Sequence, residues 1–430
     1  MLLLTALLFP GLLSTASVIR HEDHSHTTAE RLPSTWYHDS DHPVNALFKR
    51  APTTDGITYA EVGSPAWSAA YPESTPDSSA MPAEWLAALN AAVAAGTIPD
   101  IPPSTNVPNE NPTYPSGYDP NGAVCSATYK CKTPGTIWDA PDDYIGIGFD
   151  DGPQPATDAL LAFLQDNEQS ATHFMIGVNI ISYPNEFQAA FDMGHAVCVH
   201  TYTHPYMTTL SNEDVVAQLG WTAELIHNST GGRVPKFWRP PFGDTDIRVT
   251  AIAKEVFGLT TIIWNQDTED WSLTTGGTTA QAINTSMTEW LTGPKSPGLI
   301  ILEHELSNQS VAAFMAAYPV MKANNWNTTS VALIVQGTTA YQNAASGLDA
   351  VTPMGILASN SSSTGSLSVC GSSVAPHSTA TKSGQTGSST GSATTSAPST
   401  STTPNSALST SWTAGSAALL CLVASFMLHA

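Results

Sequence analysis

The chain has 430 residues, enough for one large domain or two ordinary ones. Only 12 % of them are charged, and 36 acidic against 14 basic side chains leave a net charge of −22. So acidic a chain excludes nucleic acid and anionic membrane surfaces as partners and tolerates a cationic polymer.

Met1 to Ser17 is an apolar run closing on Ser14-Thr15-Ala16-Ser17 and reads as a secretory signal peptide, although it lacks a basic n-region. Residues 18–135 read as irregular. They hold a His-rich tract at His21–His26, a dibasic Lys49-Arg50, a Pro/Asn/Ser-rich stretch at 99–122 and one amphipathic helix over Pro82–Ala95. Cleavage after Arg50 would make residues 18–50 a propeptide. The His tract reads as an exposed terminus rather than a metal site.

From residue 144 to 343 apolar strand-like runs alternate with helical periodicity. Strands are predicted at 144–150, 172–176, 195–200, 235–239, 259–265, 298–303 and 331–335, and helices at 155–166, 184–193, 211–227, 246–256, 278–291 and 309–323. Such alternation means a parallel sheet, and about seven strands in this length suit a small, deformed (β/α) barrel. Beyond it, residues 359–403 are dominated by Ser, Thr and Gly, too few of them apolar to form a core, as in an O-glycosylated stalk. Asn405-Ser406-Ala407, a polar spacer and the apolar run 417–428 have the order of a glycosylphosphatidylinositol (GPI) signal, with Asn405 as the attachment residue. Asn228, Asn284, Asn308, Asn327 and Asn360 are N-glycosylation sequons that agree with secretion. Cys421 leaves with the tail. Cys198 lies in an apolar run and reads as a buried thiol, while Cys131 has two candidate partners, Cys370 or the nearby Cys125.

Chemistry-bearing residues recur at the C-terminal ends of these strands, where α/β folds place their active sites. The first strand ends in Asp150-Asp151-Gly152-Pro153. Successive strand residues face opposite ways, so the two acids share an orientation only if the chain bends, and Gly-Pro is expected to supply the bend. His200-Thr201-Tyr202-Thr203-His204 follows another strand, and two imidazoles with a carboxylate are a usual catalytic zinc shell. Arg239-Pro240-Pro241-Phe242-Gly243, Asp267-Thr268-Glu269-Asp270-Trp271 and Leu302-Glu303-His304-Glu305 follow three more. Each alone has a bland reading as a polar turn; together, all at C-terminal strand ends, they are expected to line one pocket.

In this order the five segments resemble the motifs of the polysaccharide deacetylases of carbohydrate esterase family 4, the NodB homology domain, and closely resemble those of fungal chitin deacetylases. Residue 148, where the family has Thr or Ser, is Gly, and residue 242, Tyr or Phe in the family, is Phe. The resemblance covers roughly residues 140–343. It implies a catalytic domain over 136–345; with the compositional readings above, the stalk is then placed at 346–405 and the removed anchor signal at 406–430. It also implies one divalent ion, Zn²⁺ or Co²⁺, on Asp151, His200 and His204. Asp150 would be the general base, oriented by Arg239, and His304 the general acid, tuned by Asp270. Leu302 and Trp271 would wall the acetyl pocket, and the Phe242 N–H would bind the oxyanion. The implied activity is N-deacetylation of β-1,4-linked N-acetylglucosamine at the cell wall, by an enzyme held at the plasma membrane through the GPI anchor, with no protein partner. Two alternatives stand beside it: another acetylated glycan or only partly deacetylated chitin as substrate, or a catalytically silent surface mannoprotein on the same scaffold.

Overall fold

The computed structural model describes residues 54–108, 110–335 and 338–358. The expected signal peptide, His21–His26, Lys49-Arg50, residues 359–405 of the expected stalk with Asn360, Cys370 and Asn405, and the apolar tail lie outside the described residues. Residues 346–358, expected in the stalk, are instead packed into the domain: Ile356 is buried, and the Arg233 guanidinium donates to the Ser346 and Asp349 carbonyls. Among the described residues no helix is long and apolar enough to cross a membrane.

Eight strands form one parallel sheet: β1 (Tyr144–Gly152), β2 (Thr172–Met175), β3 (Ala196–Val199), β4 (Phe237–Trp238), β5 (Thr260–Thr261), β6 (Gln266–Asp267), β7 (Leu299–Leu302) and β8 (Asn327–Ser330). Seven follow the order β5-β4-β3-β2-β1-β7-β6. The first half of β1 pairs with β8 and its second half with β2. The two ends of the path, β5 and β6, are separated only by residues 262–265. A flat sheet of seven strands would set its outer strands roughly 29 Å apart, whereas a five-residue step reaches about 17 Å. The sheet therefore curls into the expected deformed barrel.

Helices α1 (Pro65–Ser68), α2 (Ala83–Ala94), α3 (Thr157–Asp166), α4 (Gly177–Ser182), α5 (Pro184–Asp192), α6 (Asn212–Ser229), α7 (Ile247–Phe257), α8 (Ala280–Thr292) and α9 (Asn308–Ala323) complete the described part. Capping residues mark several of the helix boundaries. The Ser211, Asp246, Thr279 and Ser307 side chains accept from the first free N–H groups of α6, α7, α8 and α9. Gly258, left-handed at φ 66°, closes α7.

Two expectations fail locally. The apolar run 331–335 is not a strand: Val331–Leu333 is a 3-10 turn, and the strand is the polar Asn327–Ser330 just before it. Val331 and Ile334 instead fill the space beside Gly146, where a β-carbon would come within 2.6 Å of Ile334. The proposed strand 259–265 is two short ones, β5 and β6, because residues 262–265 cross the closure of the barrel.

The N-terminal region, irregular in sequence, is built into the core. Trp67, Tyr71 and Trp85 are buried in the same apolar cluster as the barrel residues Phe174 and Val199. Trp85 packs edge-on against Trp221 of α6 and Phe257 of α7, and its ring lies where a side chain at Gly220 would project. The Trp67 indole N–H donates to Ser229 at the end of α6. Cys131 is bonded to Cys125, six residues away, which rules out the Cys131–Cys370 pairing; Cys198 is a buried free thiol. Asn284, Asn308 and Asn327 are exposed, and Asn228 is half-buried with its amide donating to Glu224.

Candidate active site and metal centre

The bend that lets both acids face one cleft is made by Asp151 itself. It takes a left-handed conformation, φ 68°, inside an irregularity of the β1–β2 register between Asp150 and Gly152. Gly-Pro follows the bend rather than making it. Thr201, His204, Phe242 and Glu269 also have φ between 55° and 63°. Backbone held in that region at five non-glycine positions, all in the predicted motif loops, is what a preorganised site requires.

Asp151 Oδ1, His200 Nε2 and His204 Nε2 converge, each nitrogen 3.1 Å from the carboxylate oxygen. His200 Nδ1–H donates to the Arg239 carbonyl at 2.7 Å, so its Nε2 turns a lone pair toward Asp151. Asp151 Oδ1 is buried without a hydrogen-bond partner among the described residues. Burial pushes its carboxyl up, but the two imidazoles beside it reverse this and hold it well below the usual range. An ionised oxygen and two imidazoles pointing at one spot fit a divalent cation. The loop carrying the imidazoles is held by Gln218 of α6, whose Oε1 accepts from the Tyr202 and Thr203 N–H groups. The His204 N–H donates to Thr201.

Asp150 lies beside this group, fully enclosed. Arg239 Nη1 donates to its Oδ1 at 2.7 Å, and the guanidinium stacks on Phe174 at 4.2 Å. Asp150 and His304 are bridge partners across the extension of β1 and β7. In parallel register such residues share a face, so carboxylate and imidazole stand side by side.

His304 is gripped twice by Asp270: its backbone N–H donates to Oδ2 at 2.9 Å and its Nδ1–H to Oδ1 at 2.6 Å. Burial alone would lower the imidazole's pKa. The hydrogen bond and charge of Asp270, with the charges of Asp151 and Asp150, outweigh it and raise the pKa to about 9. Glu303, next in the chain, is pushed well above the carboxylate range, by burial first and then by the charge of Asp270.

Of the residues expected to meet substrate, Leu302 is buried, while Phe242 and Trp271 are half exposed. Phe242 stacks flat on Tyr206, with ring centres 4.1 Å apart, and meets His204 edge-on at 4.6 Å. Gly148 is explained by crowding: a β-carbon there would lie 3.0 Å from Val331 and 3.4 Å from Phe174. Sequence reasoning missed Tyr206, Gln218 and Glu305. Glu305 alone carried a signal, as a second acid flanking His304.

The family description "Polysaccharide deacetylase" matches residues 139–261. Chitin deacetylase 3 of Cryptococcus neoformans var. neoformans is 39 % identical over 313 residues, 71 % of this chain and 73 % of that protein. Chitin deacetylase 1 of Saccharomyces cerevisiae is 37 % identical over 210 residues, 48 % of this chain and 67 % of that one. A solved chitin deacetylase from Colletotrichum lindemuthianum is 25 % identical, with a TM-score of 0.44, over 48 % of this chain and 95 % of its own.

Proposed function

Because the chain belongs to the polysaccharide deacetylase family, we propose that it is a chitin deacetylase, hydrolysing the N-acetyl groups of β-1,4-linked N-acetylglucosamine to acetate and chitosan. The observation that carries this reading is the register of Asp150 and His304, a carboxylate beside a raised-pKa imidazole, next to a three-ligand cation site. Asp150, kept in place by Arg239, takes a proton from the attacking water as its oxygen bonds to the acetyl carbon. The carbon–nitrogen bond then breaks as His304 gives its proton to the departing nitrogen, leaving acetate and a free amine. Asp270 keeps His304 charged and fixes its ring. A divalent cation on Asp151, His200 and His204 would supply Lewis-acid polarisation of the amide carbonyl and acidify water. Zn²⁺ or Co²⁺ suits two imidazoles and a carboxylate. The Phe242 N–H is assigned to the oxyanion, and Leu302 and Trp271 to the acetyl pocket.

The test is acetate release from N-acetylglucosamine oligomers by the purified protein. Activity is expected to vanish with a chelator and return with Zn²⁺ or Co²⁺. Chelator-resistant release would overturn the metal assignment, and no release from any oligomer, metal-replete, would overturn the substrate.

The address proposed is secretion, N-glycosylation at the five sequons and a GPI anchor at Asn405, which places the site beside wall polymer. Phospholipase treatment of cells should release a glycosylated protein lacking residues 406–430. Finding the peptide Leu419–Leu428 in the mature protein would end that proposal.

A further inference from the structure

On the side of the sheet away from the cleft, a polar chain runs through otherwise apolar packing. Glu305 is wholly buried. Its Oε2 accepts from Thr157 Oγ1 at 2.7 Å, and its Oε1 accepts from His173 Nδ1–H at 2.9 Å. His173, also wholly buried, has its Nε2 3.2 Å from His195 Nδ1. Thr157 in turn accepts from the Gln154 N–H. Burying a carboxylate and two imidazoles is costly, and replacing such a group by well-packed apolar side chains is often neutral or stabilising. Its retention calls for a reason other than stability.

The backbone supplies one. The Asp150 N–H donates to the Glu303 carbonyl, and the Glu305 N–H donates to the Asp150 carbonyl, so residues 303–305 hold the Asp150 peptide from both sides. The Glu305 carboxylate then fills the place a side chain at Gly152 would take, on the far side of Asp151. Through Thr157 and Gln154 it also fastens the loop leaving that turn, and through His173 it fastens β2, the strand beside β1. The Asp150–Asp151–Gly152 turn is therefore gripped before, beneath and after its left-handed residue.

We propose that Glu305 is a positioning residue for the catalytic turn: with Thr157 and His173 it holds Asp150 in register with His304. This rests on the deacetylase reading above, and the unmutated protein is the control that separates the two. The step most sensitive to misplacement is the transfer of protons at Asp150 and His304, where about 1 Å of error costs on the order of 10²-fold in rate. Oligomer binding and cation retention do not depend on that register to the same degree.

The experiment compares Glu305→Leu, Glu305→Gln and Thr157→Val with the parent. It measures kcat and KM on N-acetylglucosamine oligomers, bound Zn²⁺ per chain, and the thermal midpoint. Expected is a graded loss of kcat: at least about 10-fold for Glu305→Leu, less for Glu305→Gln, which keeps the length and one acceptor oxygen, and a few-fold for Thr157→Val. KM should stay within twofold and Zn²⁺ at one per chain. A folded, Zn²⁺-replete Glu305→Leu with the parent's kcat overturns the proposal. Should Glu305→Leu fail to fold, full kcat in both Glu305→Gln and Thr157→Val overturns it equally. A loss that follows the thermal midpoint, with kcat per folded chain unchanged, shows a structural role and also overturns it. An inactive parent would instead remove the proposed function, whatever the variants do.

Discussion

Asp150→Asn is expected to keep one divalent ion per chain and the parent's KM while kcat falls by a factor of about 10² or more, the usual worth of a general base. The substitution preserves shape, so Arg239, stacked on Phe174 and donating at 2.7 Å, still holds the side chain in place. What it loses is the capacity to accept a proton. Asp151→Asn should fail differently, although it differs by one position. Its oxygen is the one that both imidazoles face at 3.1 Å. A neutral amide there weakens cation binding, so the ion should be substoichiometric and added ion should restore part of the rate. The paired measurement is bound metal by elemental analysis and acetate release on both variants. Finding Asp150→Asn metal-free and Asp151→Asn metal-replete would mean that the two roles are exchanged.

The second large effect lies at Asp270. His304 is held protonated by its hydrogen bond to and the charge of Asp270, with a pKa raised to about 9 from the ordinary 6.5. The competent acid is therefore present at neutral pH and is lost as pH rises through about 9. Asp270→Asn removes the largest opposition to burial and moves the alkaline limb of the pH–rate profile down toward 6.5. Tenfold per pH unit makes kcat at pH 8 fall about 30-fold or more, with much less loss at pH 5.5. A bound cation opposes part of the rise, so the comparison is between two metal-replete proteins. The sign for stability is the same. A raised imidazole pKa contributes stability that is fully present below 6.5 and is lost as pH climbs through about 9. An alkaline limb unmoved by Asp270→Asn would remove His304 from the role of general acid.

Much of the site was legible because it sits where the sequence speaks most plainly. Asp150-Asp151, His200…His204 and His304 each follow an apolar run, and strand ends are where polar side chains converge. The long helices were legible through their period. What escaped had physical reasons. β4, β5 and β6 are two residues each, too short for any alternation to register. β8 is Asn-Thr-Thr-Ser, polar because it is only partly covered, while the apolar Val331 beside it serves as filling against Gly146 and Gly148. Gln218 reads as an ordinary surface glutamine in a helix, yet it is buried and carries the imidazole loop. Nothing along the chain announces that contact, since its partners are fifteen or more residues away.

The N-terminal arm separates two things that a shared motif set tempts one to equate. The stretch matched by the family description begins at residue 139. Yet the Tyr202 hydroxyl, between the two imidazoles in sequence, donates to the Pro72 carbonyl at 2.5 Å, and Thr208 bonds through side chain and backbone to Ser104. Trp67, Tyr71 and Trp85 line the flank of α6, the helix whose Gln218 holds the same loop. A protein that began at residue 139 would bare the indole of Trp221, the ring of Phe257 and the groove at Gly220, an apolar face of the kind that drives aggregation. The stretch that carries the motifs and the length that folds as a piece are therefore different, and the imidazole loop depends on the longer one.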